Sequence, residues 1–133
     1  MSPRNRRDQK FLNLLAQLAI TVEPVRKARI ASCLVRRNEI VAFGINKLKS
    51  HPFQAKFSKN EDSIYLHSEI DCIKNALRAI SIEELKDCTL YIARMKYEST
   101  HRRQMIPGLA RPCTGCQSAI RAFDIKHVIY TEG

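Results

Sequence analysis

Two short stretches constrain this chain more than anything else in it. His67-Ser68-Glu69 opens one apolar-periodic segment, and Pro112-Cys113-Thr114-Gly115-Cys116 opens another. Read together they offer one imidazole, two thiols and one carboxylate that a fold could converge on a single metal-bound water. Three protein ligands leave a tetrahedral metal one open position, which separates a catalytic zinc site from a structural one. Any fold assigned to the chain has to bring these two helix starts face to face.

The spacing supports that demand locally. Cys113 and Cys116 are three apart, so at a helix start both sulfurs point to one side of the first turn. Pro112 suits that position because its missing N–H is not needed there. Thiolate and imidazole are ligands zinc favours, and helix N-termini favour anionic groups. A lone C-x-x-C is shared with thioredoxin-like redox pairs; a separate H-x-E at a second helix start makes the combination far more specific. Glu69, two residues from His67, can reach the metal water without ligating and move protons there. Cys72, five residues after His67, points elsewhere around the helix.

At 133 residues the chain suits one core, and a single domain over 1–133 is expected, with a basic N-terminal tail at 1–7. It is 44% hydrophobic and 27% charged, and no apolar stretch approaches the roughly 18 residues of a membrane span. The five cysteines are odd in number and scattered, which argues against a disulfide framework and for a reducing compartment. With no secretory signal pattern, a cytoplasmic protein with no membrane association is expected. Cys33 and Cys88 read as small buried hydrophobes.

The net charge of +10 is unevenly placed: residues 1–37 carry nine basic and two acidic side chains, and residues 94–111 carry five and one. Such clustering points to an anionic partner, either nucleotide phosphate or a nucleic-acid backbone, with bland solubility as the competing explanation.

Apolar periodicity predicts a helix over 8–22, with Phe11, Leu14, Leu15, Leu18 and Ala19 on one side. A hairpin follows, with strands at 28–35 and 40–43 about a polar turn at 36–39. Residues 47–66 show no sustained pattern and read as a long functional loop. A second helix is expected from His67 to Ile80 and a buried strand over 89–93. Residues 94–111 read as another long loop, with Pro107-Gly108 as a turn signal and room for a small hairpin. A third helix over 113–123 and a strand over 127–130 complete the order α-β-β-α-β-α-β. Two strand-helix-strand crossovers imply a mixed sheet covered on both faces. Tyr91 and Tyr130 are expected in the core, Phe53 and Phe57 against it, and His51, His101 and His127 in loops or strands without a metal role.

The H-x-E and P-C-x-x-C pair, with the elements between them, resembles the cytidine and deoxycytidylate deaminase superfamily, in particular small virus-encoded or bacterial types. The resemblance covers nearly the whole chain. It implies a three-layer α-β-α sandwich with a mixed sheet of about four strands. The chain ends just after the fourth strand, where most members continue to a fifth strand and a helix; the fifth strand is expected to be missing and its edge open to a second subunit in a homo-oligomer. By position, the resemblance implies that His67, Cys113 and Cys116 bind Zn2+ and that Glu69 shuttles protons, during hydrolytic attack at C4 of a cytosine or C6 of an adenine. Asn46 matches an asparagine that contacts sugar and base in many members, though alone it would be only a strand-end cap. Ser68 stands where Ala is usual and puts a hydroxyl near the base.

The leading expectation is therefore deamination of the cytosine of a nucleoside or mononucleotide (cytidine, deoxycytidine or dCMP type). Arg94, Lys96, Arg102, Arg103 and Arg111 are the candidate phosphate contacts. The alternative is a base in single-stranded DNA or RNA, tracked by the basic N-terminus and the basic loop. A zinc-stabilised binding module without turnover is a third reading, against which Glu69 speaks.

Overall fold

The computed structural model describes residues 5–24, 28–57, 65–99, 101 and 103–133. Helix α1 (Arg6–Ile20) is capped by Asn5, whose side chain accepts from the Asp8 amide at 2.9 Å. Arg6 and Arg7 of the expected tail thus lie inside the first helix, and residues 1–4 fall outside the described part. Strands β1 (Arg29–Arg36) and β2 (Glu39–Ile45) form the antiparallel hairpin. Its two-residue turn places Arg37 at φ 52° and Asn38 at φ 67°, the left-handed pair whose twist matches the flanking strands.

The stretch 47–66 is not a featureless loop. It forms β3 (Lys47–Ser50), α2 (Pro52–Phe57) and β4 (Tyr65–Leu66), with β3 and β4 paired in a small separate ladder. The polar cluster at 58–63 lies outside the described residues. Helix α3 (Ser68–Ala76) starts where expected but stops four residues short of Ile80, and α4 (Ile82–Leu85) follows, held by a Ser81/Glu84 capping box. Strand β5 (Thr89–Tyr97) continues four residues beyond the expected end. β6 (Met105–Gly108), α5 (Thr114–Ala122) and β7 (His127–Tyr130) complete the chain.

The main sheet runs β2-β1-β5-β6, with β7 also on β5. β7 lies parallel to the first half of β5 (Thr89↔His127 to Ile92↔Tyr130), and β6 antiparallel to its second half (Arg94↔Gly108 to Tyr97↔Met105). The sheet is thus four positions wide, as expected, but contains five strands rather than four. The additional strand comes from the basic segment 94–111, not from beyond β7. Pro107-Gly108 belongs to that strand instead of a turn; β6 is an edge strand, where a missing N–H is tolerated. Thr131 joins the two end to end, accepting from the Arg94 amide at 3.1 Å and donating to the Gly108 carbonyl at 2.7 Å.

Side-chain alternation makes three layers. Cys33, Val35, Tyr91, Ala93 and Met95 pack under Phe11, Leu12 and Leu15 of α1. Leu34, Leu90 and Ile92, one position out of step, pack against Ile70 and Ile73 of α3 and Ala119 and Ile120 of α5. The Tyr91 hydroxyl reaches through the first layer to donate to the buried Asp8 carboxylate at 2.6 Å. Phe53, Phe57 and Phe123 form an aromatic cluster that seats α2 against α5. Among the described residues no helix is long and apolar enough to cross a membrane.

Candidate active site

α3 and α5 present their N-termini to one cleft on the face away from α1. His67 is the N-cap of α3 and Cys113 the N-cap of α5. The His67 amide donates to the fully buried Gln54 side chain at 3.0 Å, so α2 fixes the residue that begins α3. The Ser32 hydroxyl of β1 donates to the Ser68 carbonyl at 2.8 Å. Asp71, also buried, accepts from the Ile45 amide at 3.1 Å and meets Lys47 and Lys74, each at 3.2 Å. Gly44 lets β2 lie directly on this first turn; a Cβ there would fall on the Ser68 carbonyl oxygen and the Cys72 amide nitrogen. On α5, Cys113 Sγ accepts from the Cys116 amide, and Gln117 donates to the Pro112 carbonyl at 2.8 Å.

These supports bring His67, Cys113 and Cys116 together, with ligand atoms all within 4.8 Å of one another. His67 Nδ1 lies 3.5 Å from Cys113 Sγ and 3.4 Å from Cys116 Sγ. Tetrahedral zinc with ordinary bond lengths separates such N and S ligands by about 3.6 Å, so the donor set and its spacing fit that ion. Without a metal the three groups share protons instead. Hydrogen bonding from Cys116, aided by His67, pulls the Cys113 thiol down to about 4. Cys116, donating to Cys113 and buried, is pushed well above the ordinary thiol range, and the bond to Cys113 raises His67. A metal takes the place of those protons. Cys72 is not in the cluster; its buried thiol faces the Ala42 carbonyl.

Glu69 is 5% exposed and lines the same cleft, with Oε1 accepting from the Ser68 hydroxyl at 2.7 Å. The cleft holds about 280 Å³, and its walls include Ile30, Asn46, Leu66, Arg94, Leu109 and Arg111. Of the sequence-derived site residues, His67, Ser68, Glu69 and Cys113 line it together with Asn46, Arg94 and Arg111, and Cys116 lies beside His67 as a ligand neighbour. Asn46 uses its amide as a bracket, accepting from the Ile30 amide at 2.8 Å and donating to the Ala28 carbonyl at 2.9 Å. The other basic residues diverge. Lys96 is exposed on the hairpin, Arg103 lies against Tyr97, and Arg102 is outside the described residues. Gln54 and Ser32, which support the start of α3, and Tyr65, which also lines the cleft, carry no signal in the sequence, because no spacing links them to the two motifs.

Residues 5–132 match the family model described as the cytidine and deoxycytidylate deaminase zinc-binding region. The chain belongs to this family. Its membership and the converging ligands together support a zinc-dependent deaminase. The fold is shared with dCMP deaminase from the cyanophage S-TIM5 at TM-score 0.61 and 19% identity, covering 96% of this chain and 84% of that one. Guanine deaminase from Bacillus subtilis matches at TM-score 0.57 and 19% identity, over 97% of this chain and 65% of that one. A diaminohydroxyphosphoribosylaminopyrimidine deaminase/5-amino-6-(5-phosphoribosylamino)uracil reductase from Thermotoga maritima gives TM-score 0.56 and 19% identity, over 93% of this chain and 29% of that one. No curated protein matches significantly. Within the deaminase family the layered fold, the His/Cys/Cys cluster and the adjacent carboxylate stand together; identities this low speak for fold alone.

Proposed function

We propose that the protein deaminates the cytosine base of a nucleoside or mononucleotide by zinc-dependent hydrolysis, releasing ammonia. The observation that carries this reading is Glu69, a buried carboxylate in the wall of the cleft that holds His67 and Cys113. His67, Cys113 and Cys116 would hold the zinc, which would supply the Lewis acidity that makes a proton of water removable near neutral pH, lowering its pKa from about 16 toward about 7. Glu69 would accept a proton from the attacking water and give it to the ring nitrogen beside the reacting carbon, then take the remaining proton of the added hydroxyl and deliver it to the departing amine, which leaves as ammonia. The Ser68 hydroxyl holds one carboxylate oxygen and leaves the other for the transfer. Ile30, Leu66 and Leu109 give the flat base apolar walls and limit water around it. In this reading Asn46 acts at the sugar chiefly by fixing the start of β1.

A solved complex of the cyanophage enzyme with dCMP and dUMP, 18% identical to this chain with TM-score 0.54, lends support to a pyrimidine nucleotide ligand. The cleft volume sits near the lower end for small-molecule sites, which suits one nucleoside unit better than a strand. Replacing Glu69 with Ala is expected to lower ammonia release from dCMP or deoxycytidine by at least about a thousandfold, in the upper part of the usual range for an acid-base group because it acts at several steps. Metal analysis of that variant should still find zinc. Undiminished turnover in it would refute the mechanism; loss of zinc together with turnover would place Glu69 among the ligands.

A further inference from the structure

Arg94 and Arg111 both line the cleft, and neither has an ion-pair partner among the described residues. The Arg94 Nε is shut off from solvent and donates to no acceptor among the described residues. Arg36 is the instructive contrast. Its Nε is likewise unmatched, but its guanidinium is held by Glu84 at 3.0 Å and Asp87 at 3.6 Å. A guanidinium with an unmatched donor and no carboxylate partner, set in the wall of a ligand cleft, can take an acceptor that arrives with the ligand.

The hairpin is built to aim this side chain. The Arg94 amide is fixed by Thr131 Oγ1 and its register partner is Gly108. A Cβ on Gly108 would lie 3.3 Å from the Cδ atoms of both Arg94 and Lys96, so the glycine leaves a groove in which the two basic stems cross β6. Alternation puts Arg94 and the exposed Lys96 on one face of the hairpin, of which Arg94 reaches the cleft, whereas Tyr97, with Arg29 and Arg103 against its ring, belongs to the opposite face. Within the basic segment Arg94 and Arg111 thus address the cleft, and Arg103 does not.

We infer that the β5–β6 hairpin forms an anion subsite, with Arg94 as its principal donor and Arg111 at its exposed rim, which selects a nucleoside monophosphate over the free nucleoside. The inference rests on the proposed base deamination and specifies its substrate class. A guanidinium offers planar, forked donors that suit two phosphate oxygens at once. Gly108 is the residue that makes room for it. Engagement of one phosphate by one or two arginines also predicts a shallow salt dependence, unlike a strand contacting many.

The test uses full-length, zinc-loaded protein and matched pairs: deoxycytidine and dCMP, deoxyadenosine and dAMP, deoxyguanosine and dGMP, and a single-stranded oligonucleotide. Ammonia release and binding of dUMP against deoxyuridine by calorimetry are read side by side. The wild type should favour the monophosphate of whichever base it accepts by at least tenfold in kcat/KM. Arg94→Met, which keeps the stem and removes the fork, should bring that ratio toward one, with the loss falling mainly on KM. Arg94→Lys should recover part of it. If a purine pair is used instead of the cytosine pair while the ratio persists, the base assignment fails and the phosphate subsite stands. Equal use of nucleoside and monophosphate, an Arg94→Met ratio identical to wild type, or faster turnover of the oligonucleotide than of any monophosphate would each overturn the subsite.

Discussion

Cys113 and Cys33 carry the same thiol into opposite surroundings. Cys33 is fully buried in the α1 layer, and burial pushes it up to about 12, so it remains a protonated thiol through the physiological range. Cys113 is exposed at the mouth of the cleft, and the protons donated by Cys116 and His67 hold it near 4. Reactivity follows the thiolate and its access, not the number of cysteines. In metal-free protein, iodoacetamide at pH 7 is expected to label Cys113 first. Its rate should vary little from pH 6 to pH 8, because a group titrating near 4 is already ionised there. Zinc should suppress the labelling, since the ligand sulfur is then occupied. Cys33 and Cys72, both buried with raised thiols, should stay unmodified until the protein unfolds. Peptide mass mapping of the alkylated protein checks the order, and early labelling of Cys33 would contradict it.

The contact between β2 and α3 is where one residue controls the position of two elements. Gly44 lies against main-chain atoms of Ser68 and Cys72, and neither a carbonyl oxygen nor an amide nitrogen can rotate out of the way. Gly44→Ala should therefore cost about 3 kcal/mol, at the upper end for overpacking, because the strand must back away from the helix start that carries His67. Urea unfolding reads this directly, and a change below about 0.5 kcal/mol would mean that the two elements separate freely. The same contact shows why some of the fold was legible and some was not. Helices α1, α3 and α5 reveal themselves because apolar residues recur over several turns, and the motifs mark the starts of two of them. α2 spans only six residues, and its helical state depends on Phe53 and Phe57 meeting Phe123, far away in sequence. β6 hides because Pro107 and Gly108 ordinarily signal a turn, whereas here an edge position tolerates the proline and the Arg94 stem requires the glycine. Gln54 had no signal at all: a glutamine in a short helix becomes a support for His67 only once α2 packs under it.

Zinc would act on the whole molecule because its ligands come from the starts of two helices, α3 and α5, that otherwise meet through the sheet and α2. α3 packs on β1 and β2, α5 leads into β7, and between them lies the cleft itself. A metal binding the native arrangement and not the unfolded chain stabilises by mass action, by about 2.7 kcal/mol when free zinc is a hundredfold above its dissociation constant. For a chain of 133 residues that corresponds to a rise in Tm of roughly 10 °C. Treatment with a chelator should lower Tm by about that amount, and one equivalent of zinc per chain should restore it. Cys116→Ala separates this linkage from any general effect of the chelator. The variant should begin with a lower Tm and respond little to either treatment, because a site with two of three ligands holds the ion weakly. The buried hydrophobic layers are untouched by metal loss, so the stripped protein should keep its far-ultraviolet circular dichroism at 25 °C and lose turnover first. An unchanged Tm in protein shown to be free of metal would mean that the two helix starts are held by the Gln54, Ser32 and Asp71 contacts alone, and that the ion serves only the chemistry.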